Sequence, residues 1–442
     1  MKFRGLLVAV VLLAALGGVL YWSQHHQPKP AEATPALPAI LHIDAKAVTG
    51  LTLRDRGAPP IVLSPTSPAV WQITSPASYR ANADDVNQMV AALGNLIPER
   101  VVAEKGANLA TYGLSDPSLT VDVAEKNNQS AQLMLGDKTP TGESVYALVP
   151  GSPRVYTVAL WVDNTLGKSL DDLRDRHLIP VQTPSVNLVE IERKGGNFTI
   201  ARVPEGWQIQ KPSVYRTNNY EVDNLVDQIV GATWDPTANN SQAAGAFARG
   251  TPVATVKVTT GSGATAHTDS LEIRKSGETD YAQSSAVPGF WKIDSSVAIA
   301  VDRDVDTYRN KQLLDFGYTE PLNIQYHSGS TSLSLVRSNS DWYSNGKKMD
   351  TDSVGALVTA LRGLAATGFT DSGYNKPDID LTVVDFGGRS VEKVHFQTTP
   401  NGAIAKRDDG AGLYVLDSTA MNNLTTAVSG VKPAPPSAAK KK

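Results

Sequence analysis

A chain of 442 residues is too long for one ordinary core, because single domains run to about 100–200 residues, and two to four domains are expected. Hydrophobic residues make up 41% and charged residues 19% at a net charge of −3, which excludes both the basic excess of a nucleic-acid binder and the low hydrophobicity of a disordered chain. With no cysteine, disulfides, thiolate nucleophiles, Cys-ligated zinc, iron–sulfur clusters and a lipoprotein anchor are excluded together, so any metal site would have to use His and carboxylates.

The first predicted element is "MKFRGLLVAVVLLAALGGVLYW", in which Lys2 and Arg4 precede an uncharged run from Gly5 to Trp22. At about 1.5 Å per residue that run reaches roughly 27 Å, close to the hydrocarbon thickness of a bilayer. Cations before it and Tyr21-Trp22 at its far end fit the positive-inside rule and an interfacial aromatic belt. A transmembrane signal anchor over 1–22 is expected, with the N-terminus cytoplasmic and the bulk of the chain periplasmic or otherwise extracytoplasmic. The competing reading is a cleaved signal peptide, whose apolar region would be unusually long and which lacks an A-x-A site here. Residues 23–39 form a Pro/Ala-rich spacer, and 434–442 read as a disordered tail.

Between spacer and tail the chain repeats itself. Trp71, Trp207 and Trp342 lie 136 and 135 residues apart, in "AVWQITSP", "EGWQIQKP" and "SDWYSNGK". Before each Trp come two short alternating runs that read as a hairpin: "GLTLRD" with "PIVLSP", "LVEIER" with "FTIARV", and "LNIQYH" with "SLSLVR". The Trp opens a third strand. An amphipathic helix follows each time, with apolar positions Val86, Met89, Val90, Leu93 and Ile97, then Val222, Leu225, Val226 and Ile229, then Val354, Leu357, Val358 and Leu361. Asn82, Asn218 and Asp350 are the expected N-caps, and Asn218 with Glu221 approximates a capping box. Further paired strands follow: "LTVDV" with "AQLMLG", "ATVKV" with "DSLEIR", and "DLTVV" with "VEKVHF". Each unit then closes on a strand and a helix.

Arg174 and Arg309 end the first two units 135 residues apart, and the third has no equivalent, which assigns these basic segments to junctions between neighbours. The expected fold is α+β: a transmembrane helix, then three tandem repeats over 40–180, 181–317 and 318–433. Each repeat is a mostly antiparallel sheet with one amphipathic helix and a terminal helix.

"WQITSP", "ANADDVNQMVAALGNL", "LATYGLSDPSLTV", "LMLGDKT", "VYAL" and "LRDRHLI" resemble the bacterial domain of unknown function 4340 family. The likeness covers the first unit through Trp71, Pro76, Asp84, Tyr112, Gly113, Leu114, Pro117, Gly136, Tyr146 and Arg174. The second unit lacks the Tyr-Gly-Leu-x-x-Pro phrase, having "FARGTPVATV" there, and the third keeps a trace in "GYNKPDIDLTV". The resemblance implies an envelope protein, encoded in some bacteria near ABC-type transporters of the gliding-associated kind, and it implies no catalytic residues.

Chemistry is sought and mostly not found. Of His25, His26, His42, His177, His267, His327 and His395, only the adjacent pair in the spacer is close in sequence, where solvation is the ordinary state. No H-E-x-x-H, G-x-S-x-G, Walker loop or G-x-G-x-x-G after a strand is present. "DRDVD" at 302–306 invites a calcium reading, but Thr307 and Leu313 stand where an EF-hand needs Gly and Glu, so the acids read as part of a junction helix. "SNGK", with Ser344 and Lys347, matches a Ser-x-x-Lys spacing and fits a hairpin turn far better. Trp71, Trp207 and Trp342 read as core pieces rather than sugar-stacking platforms. No catalytic, cofactor-binding or metal residue is assigned, no cofactor is expected, and nucleic acid is not an expected partner. The expected function is that of a non-enzymatic scaffold or accessory subunit among envelope or membrane proteins, with ABC-type transporter subunits as one partner class. The alternatives are a periplasmic ligand- or glycan-binding protein with clefts between units, and a cell-envelope enzyme in which two acids of raised pKa face each other.

Overall fold

Alternation at period two lets an antiparallel sheet bury one face and wet the other, and each Trp phrase lies in such a sheet. The fold, taken from a computed structural model, is described for residues 37–67, 70–105, 108–126, 129–238, 240–388 and 390–436. The expected anchor at 1–22 and most of the spacer lie outside the described residues, as do 437–442 of the expected tail. Among the described residues no helix is long and apolar enough to cross a membrane.

The chain divides into two compact units, the first ending at Asp175 and the second beginning at Arg176. In the first, β1 (Leu41–His42) pairs with β6 (Asn95–Leu96) as a two-stranded ladder. A nine-stranded antiparallel sheet runs β5 (Tyr79–Arg80), β4 (Val70–Ser75), β3 (Ile61–Ser67), β2 (Val48–Asp55), β8 (Leu119–Glu125), β9 (Ser130–Lys138), β10 (Ser144–Leu148), β11 (Val155–Ala159), β7 (Arg100–Ala103). Its helices are α1 (Ala83–Gly94), α2 (Leu160–Leu166) and α3 (Leu170–Leu173).

The second unit holds two such sheets. One has eight strands: β15 (Tyr215–Arg216), β14 (Gly206–Lys211), β13 (Phe198–Val203), β12 (Val186–Arg193), β16 (Thr251–Thr260), β17 (His267–Ser276), β18 (Thr279–Ser284), β19 (Phe290–Ile293). With it go α4 (Asn219–Val230), α5 (Asn240–Arg249) and α6 (Ser295–Asp302). The other has nine: β23 (Lys347–Lys348), β22 (Asp341–Ser344), β21 (Thr331–Ser338), β20 (Asn323–Ser328), β25 (Ile379–Val384), β26 (Val391–Thr399), β27 (Gly402–Arg407), β28 (Leu413–Asp417), β24 (Gly368–Thr370). It carries α7 (Thr351–Arg362) and α8 (Ser418–Ser429).

The three indoles are core pieces: Trp71, Trp207 and Trp342 are 6%, 4% and 2% exposed. Beside them the predicted apolar faces of α1, α4 and α7 are buried, each such side chain contributing about 2 kcal/mol. Ile97 is the exception and is exposed, because α1 ends at Gly94 and the periodic spacing no longer aims it inward. Two of the three expected caps form: Asn82 Oδ1 accepts the amides of Asp84 and Asp85, and Asp350 Oδ1 accepts that of Ser353 at 2.9 Å. The expected Asn218–Glu221 box does not. Asn218 makes no side-chain cap bond, and it is Asn219 Oδ1 that accepts the Trp207 amide at 2.9 Å.

The described residues hold four sheets where the repeat reading expects three, and the extra one has a simple origin. An incoming strand pairs with the segment after each amphipathic helix, as seen in Ile40 N to Leu96 O, Leu178 N to Ala232 O and Leu313 N to Leu364 O, at 2.8, 2.8 and 3.0 Å. In the first repeat this pairing extends to two residues per strand. In the others it is a single bridge, His177 with Thr233 and Gln312 with Ala365. An outgoing strand pairs just before each helix, in the bridges Ala81–Arg174, Thr217–Arg309 and Met349–Pro433. The third repeat thus lacks the arginine but keeps the backbone pairing. Ala434, expected in a disordered tail, donates its amide to Lys348 O at 2.9 Å.

Helix α5 was not predicted. In the eight-stranded sheet the ninth strand shrinks to the bridge Trp234–Ile293, and α5 follows it, packing Phe247 on Phe290 at 4.9 Å between ring centroids.

Candidate functional site

The motifs weighed in the sequence resolve into structural parts. Ser344 pairs with Lys347 across a two-residue turn in which Asn345 and Gly346 have φ of 49° and 78°, as an Asn-Gly hairpin requires. In 302–306, Asp304 caps a short 3-10 turn by accepting the Asp306 amide at 3.0 Å, and Asp306 accepts from Arg309 at 2.9 Å. In "TYGLSDP", Gly113 has a φ of +68°, and a Cβ there would lie 2.5 Å from the Asp137 carboxylate. Tyr112 packs edge-on against Tyr146 and Leu114 is buried, so the phrase joins helix to sheet. His25 and His26 lie outside the described residues.

The junction arginine proves informative. Arg309 is 5% exposed, with its guanidinium carbon 4.0 Å from the ring centroid of Tyr215, in the second repeat, and 3.6 Å from that of Phe369, in the third. Gly412 makes room for it, since a Cβ at that position would collide with Arg309 Nη2. Beside it Arg407, 2% exposed, donates to Glu392 Oε1 at 3.0 Å, to Asp409 Oδ1 at 2.7 Å and to the Leu313 carbonyl. Glu392 Oε2 accepts the Asp315 amide at 2.7 Å, and Arg216 Nη1 donates to the Gln312 carbonyl at 2.8 Å. The Arg407 guanidinium holds the Asp409 carboxyl below the usual carboxylate range. A cleft of about 580 Å³ opens here, lined among others by Asn218, Glu221, Arg309, Lys311 and Phe369. The 135-residue spacing pointed to Arg309. Its aromatic partners and the Arg407 network were missed, because only the sheet register brings them together.

A second cleft, of about 470 Å³, lies wholly in the second compact unit. Segment 233–236, the turn before β18 and the start of α6 line it. Hydrogen bonds from the Thr237 hydroxyl and amide, with Lys292 at 3.0 Å, pull Asp235 down to about 2. Asp294 accepts the Ser296 amide at 2.8 Å and is lowered by Ser296. Burial instead pushes Asp280 upward, against the pull of Lys275. One acid is therefore raised and two are lowered, so the cleft does not hold the two raised acids that the enzyme reading expects.

On β26 of the second nine-stranded sheet His395 is bonded at both ring nitrogens, Nδ1 to Asp380 at 2.5 Å and Nε2 to Asp408 at 3.0 Å. These carboxylates, Asp380 first, raise its pKa against the opposing effect of burial. Among the described residues no group of three or more His, Cys, Asp or Glu is arranged to hold a metal ion.

Comparison with curated proteins finds no match. Among solved structures, the DNA polymerase III subunit beta from Pseudomonas aeruginosa aligns over 88% of this chain and 93% of its own at 9% identity. Its TM-score of 0.16 is too low to carry an argument about fold or function. The family described as Domain of unknown function (DUF4340) matches over residues 71–208 and 207–382, two matches that each open on a tryptophan of the repeated phrase, and the chain belongs to that family.

Proposed function

We propose that this protein is a non-enzymatic, membrane-anchored extracytoplasmic scaffold or accessory subunit of an envelope complex, with an ABC-type transporter as the partner class. In this reading residues 1–22 are an N-in anchor, 23–39 a spacer, and 40–180, 181–317 and 318–433 three tandem α+β units. One observation carries it: Arg309 is clamped between an aromatic ring of the second repeat and one of the third. A guanidinium held between two rings ties them together, each cation–π contact contributing about 0.5–2 kcal/mol. A protein that presents several surfaces at set spacing needs such a clamp. The two clefts favour a second reading, a ligand- or glycan-binding protein.

In vivo crosslinking of the full chain, followed by mass spectrometry, tests the proposal. Specific envelope proteins should be captured, several-fold fewer of them by Arg309→Ala at equal folded protein. Recovery of nothing above background under several growth conditions would sink it. Saturable calorimetric binding of cell-wall fragments would favour the second reading instead.

A further inference from the structure

The second repeat departs from its siblings at one core register. Asp280 of β18 pairs with Ile293; the corresponding pairs are Val145 with Val158 in the first repeat and Ala403 with Leu416 in the third. All three leading residues are buried, and Asp280 is only 2% exposed. Two repeats therefore fill this position with an apolar side chain and the second fills it with a carboxylate. That exchange is costly unless something pairs with the charge. Asp280 Oδ1 accepts no hydrogen bond, and Lys275 Nζ stands 4.0 Å from Oδ2, beyond hydrogen-bond reach. A buried acid that breaks the local rule, with one oxygen unbonded and only a 4.0 Å ion pair to Lys275 on the other, is a candidate functional position.

Asp280 lines the 470 Å³ cleft, and we propose that this cleft binds an alkylammonium group. Asp235, Glu278, Asp280 and Asp294 face Arg176 and Lys292 there, with Lys275 beside Asp280, leaving one negative charge in excess. Asp235 is already matched by Lys292, and Asp294 is occupied by the first turn of α6. Glu278 and the unbonded Oδ1 of Asp280 are left for the ligand. Among the described residues no three acids or histidines are arranged to hold a metal ion, which favours an organic cation here. An ammonium needs acceptors for three N–H groups, and its aliphatic stem can lie along Trp234, Pro236 and Ile293 on the same walls.

Calorimetry on the detergent-extracted full chain tests this, with cadaverine as the probe, pentane-1,5-diol as its uncharged counterpart and magnesium chloride as the inorganic control. Cadaverine should bind saturably at one site while neither control does. Glu278→Gln should weaken it at least tenfold. Asp280→Ala, which installs the third repeat's residue, should abolish binding and leave the thermal midpoint equal or higher. Absence of saturable cadaverine binding, equal binding by either control, or unchanged affinity in Glu278→Gln or Asp280→Ala would overturn the assignment. So would unfolding of Asp280→Ala, because it would give the carboxylate a structural role.

Discussion

In the second repeat the indole of Trp207 donates to Asp223 at 2.8 Å, whereas in the third the matching helix position is Gly355 and Trp342 is nonetheless the more buried ring. Helix α7 begins on a cap bond from Asp350, and α4 begins without one from Asn218. One repeat ends its sheet with β24 and the other replaces that strand by a bridge and α5. What the two hold in common is buried apolar surface laid between sheet and helix; polar details around it vary freely. The common architecture is thus set by burial, and individuality collects at sheet edges and helix ends.

That contrast can be broken most severely at the rings themselves. Trp207→Ala and Trp342→Ala should each destabilise the second unit by about 3–5 kcal/mol despite their different polar partners. Chemical denaturation of the full chain measures this, and a gap above about 2 kcal/mol between the two would mean that the Asp223 hydrogen bond, not packing, places the ring. The helix starts offer a finer test. Asp350→Ala should cost about 1 kcal/mol, and Asn218→Ala less than about 0.5 kcal/mol, since only the first removes a cap.

The smallest expected effect distinguishes the repeats by pH. His395 faces Asp380 in the sheet of the third repeat, and at the same register in that of the second repeat Glu272 faces Thr255. The folded state holds the imidazolium proton more tightly than the unfolded chain does. Its stabilisation is therefore complete below about pH 6.5 and is lost as pH rises through the raised folded value. Nuclear magnetic resonance titration of His395 should show the upward displacement, and Asp380→Asn should bring it back toward the ordinary value. An unmoved titration in that variant would break the contrast.

How much of this was legible depended on periodicity. The helices, the hairpins and the buried Trp follow from spacings of 3.6 and 2.0 repeated at a fixed interval, which is why α1, α4 and α7 fall where their apolar faces place them. Helix α5 was illegible because "SQAAGAFARG" has no counterpart in the other repeats and its buried side chains are only those of Ala243 and Phe247. The cap expected at Asn218 is absent, and its neighbour Asn219 turns to the Trp207 amide and the Glu205 carbonyl, a tertiary contact that no propensity reveals. Asp280 looks ordinary in "DYAQS", and its oddity emerges only when sheet register sets it beside Val145 and Ala403.

The outgoing strand of the third repeat reaches Pro433, a residue with no N–H to donate, yet the bridge persists because Lys432 supplies the carbonyl and Ala434 the amide. The acceptor edge is therefore indifferent to the side chain that arrives, asking only for one carbonyl and one amide in an extended segment. The same two-bond pattern receives the outgoing segment at Ala81–Arg174, Thr217–Arg309 and Met349–Pro433, so the splice is written in the backbone and not in the residue that arrives.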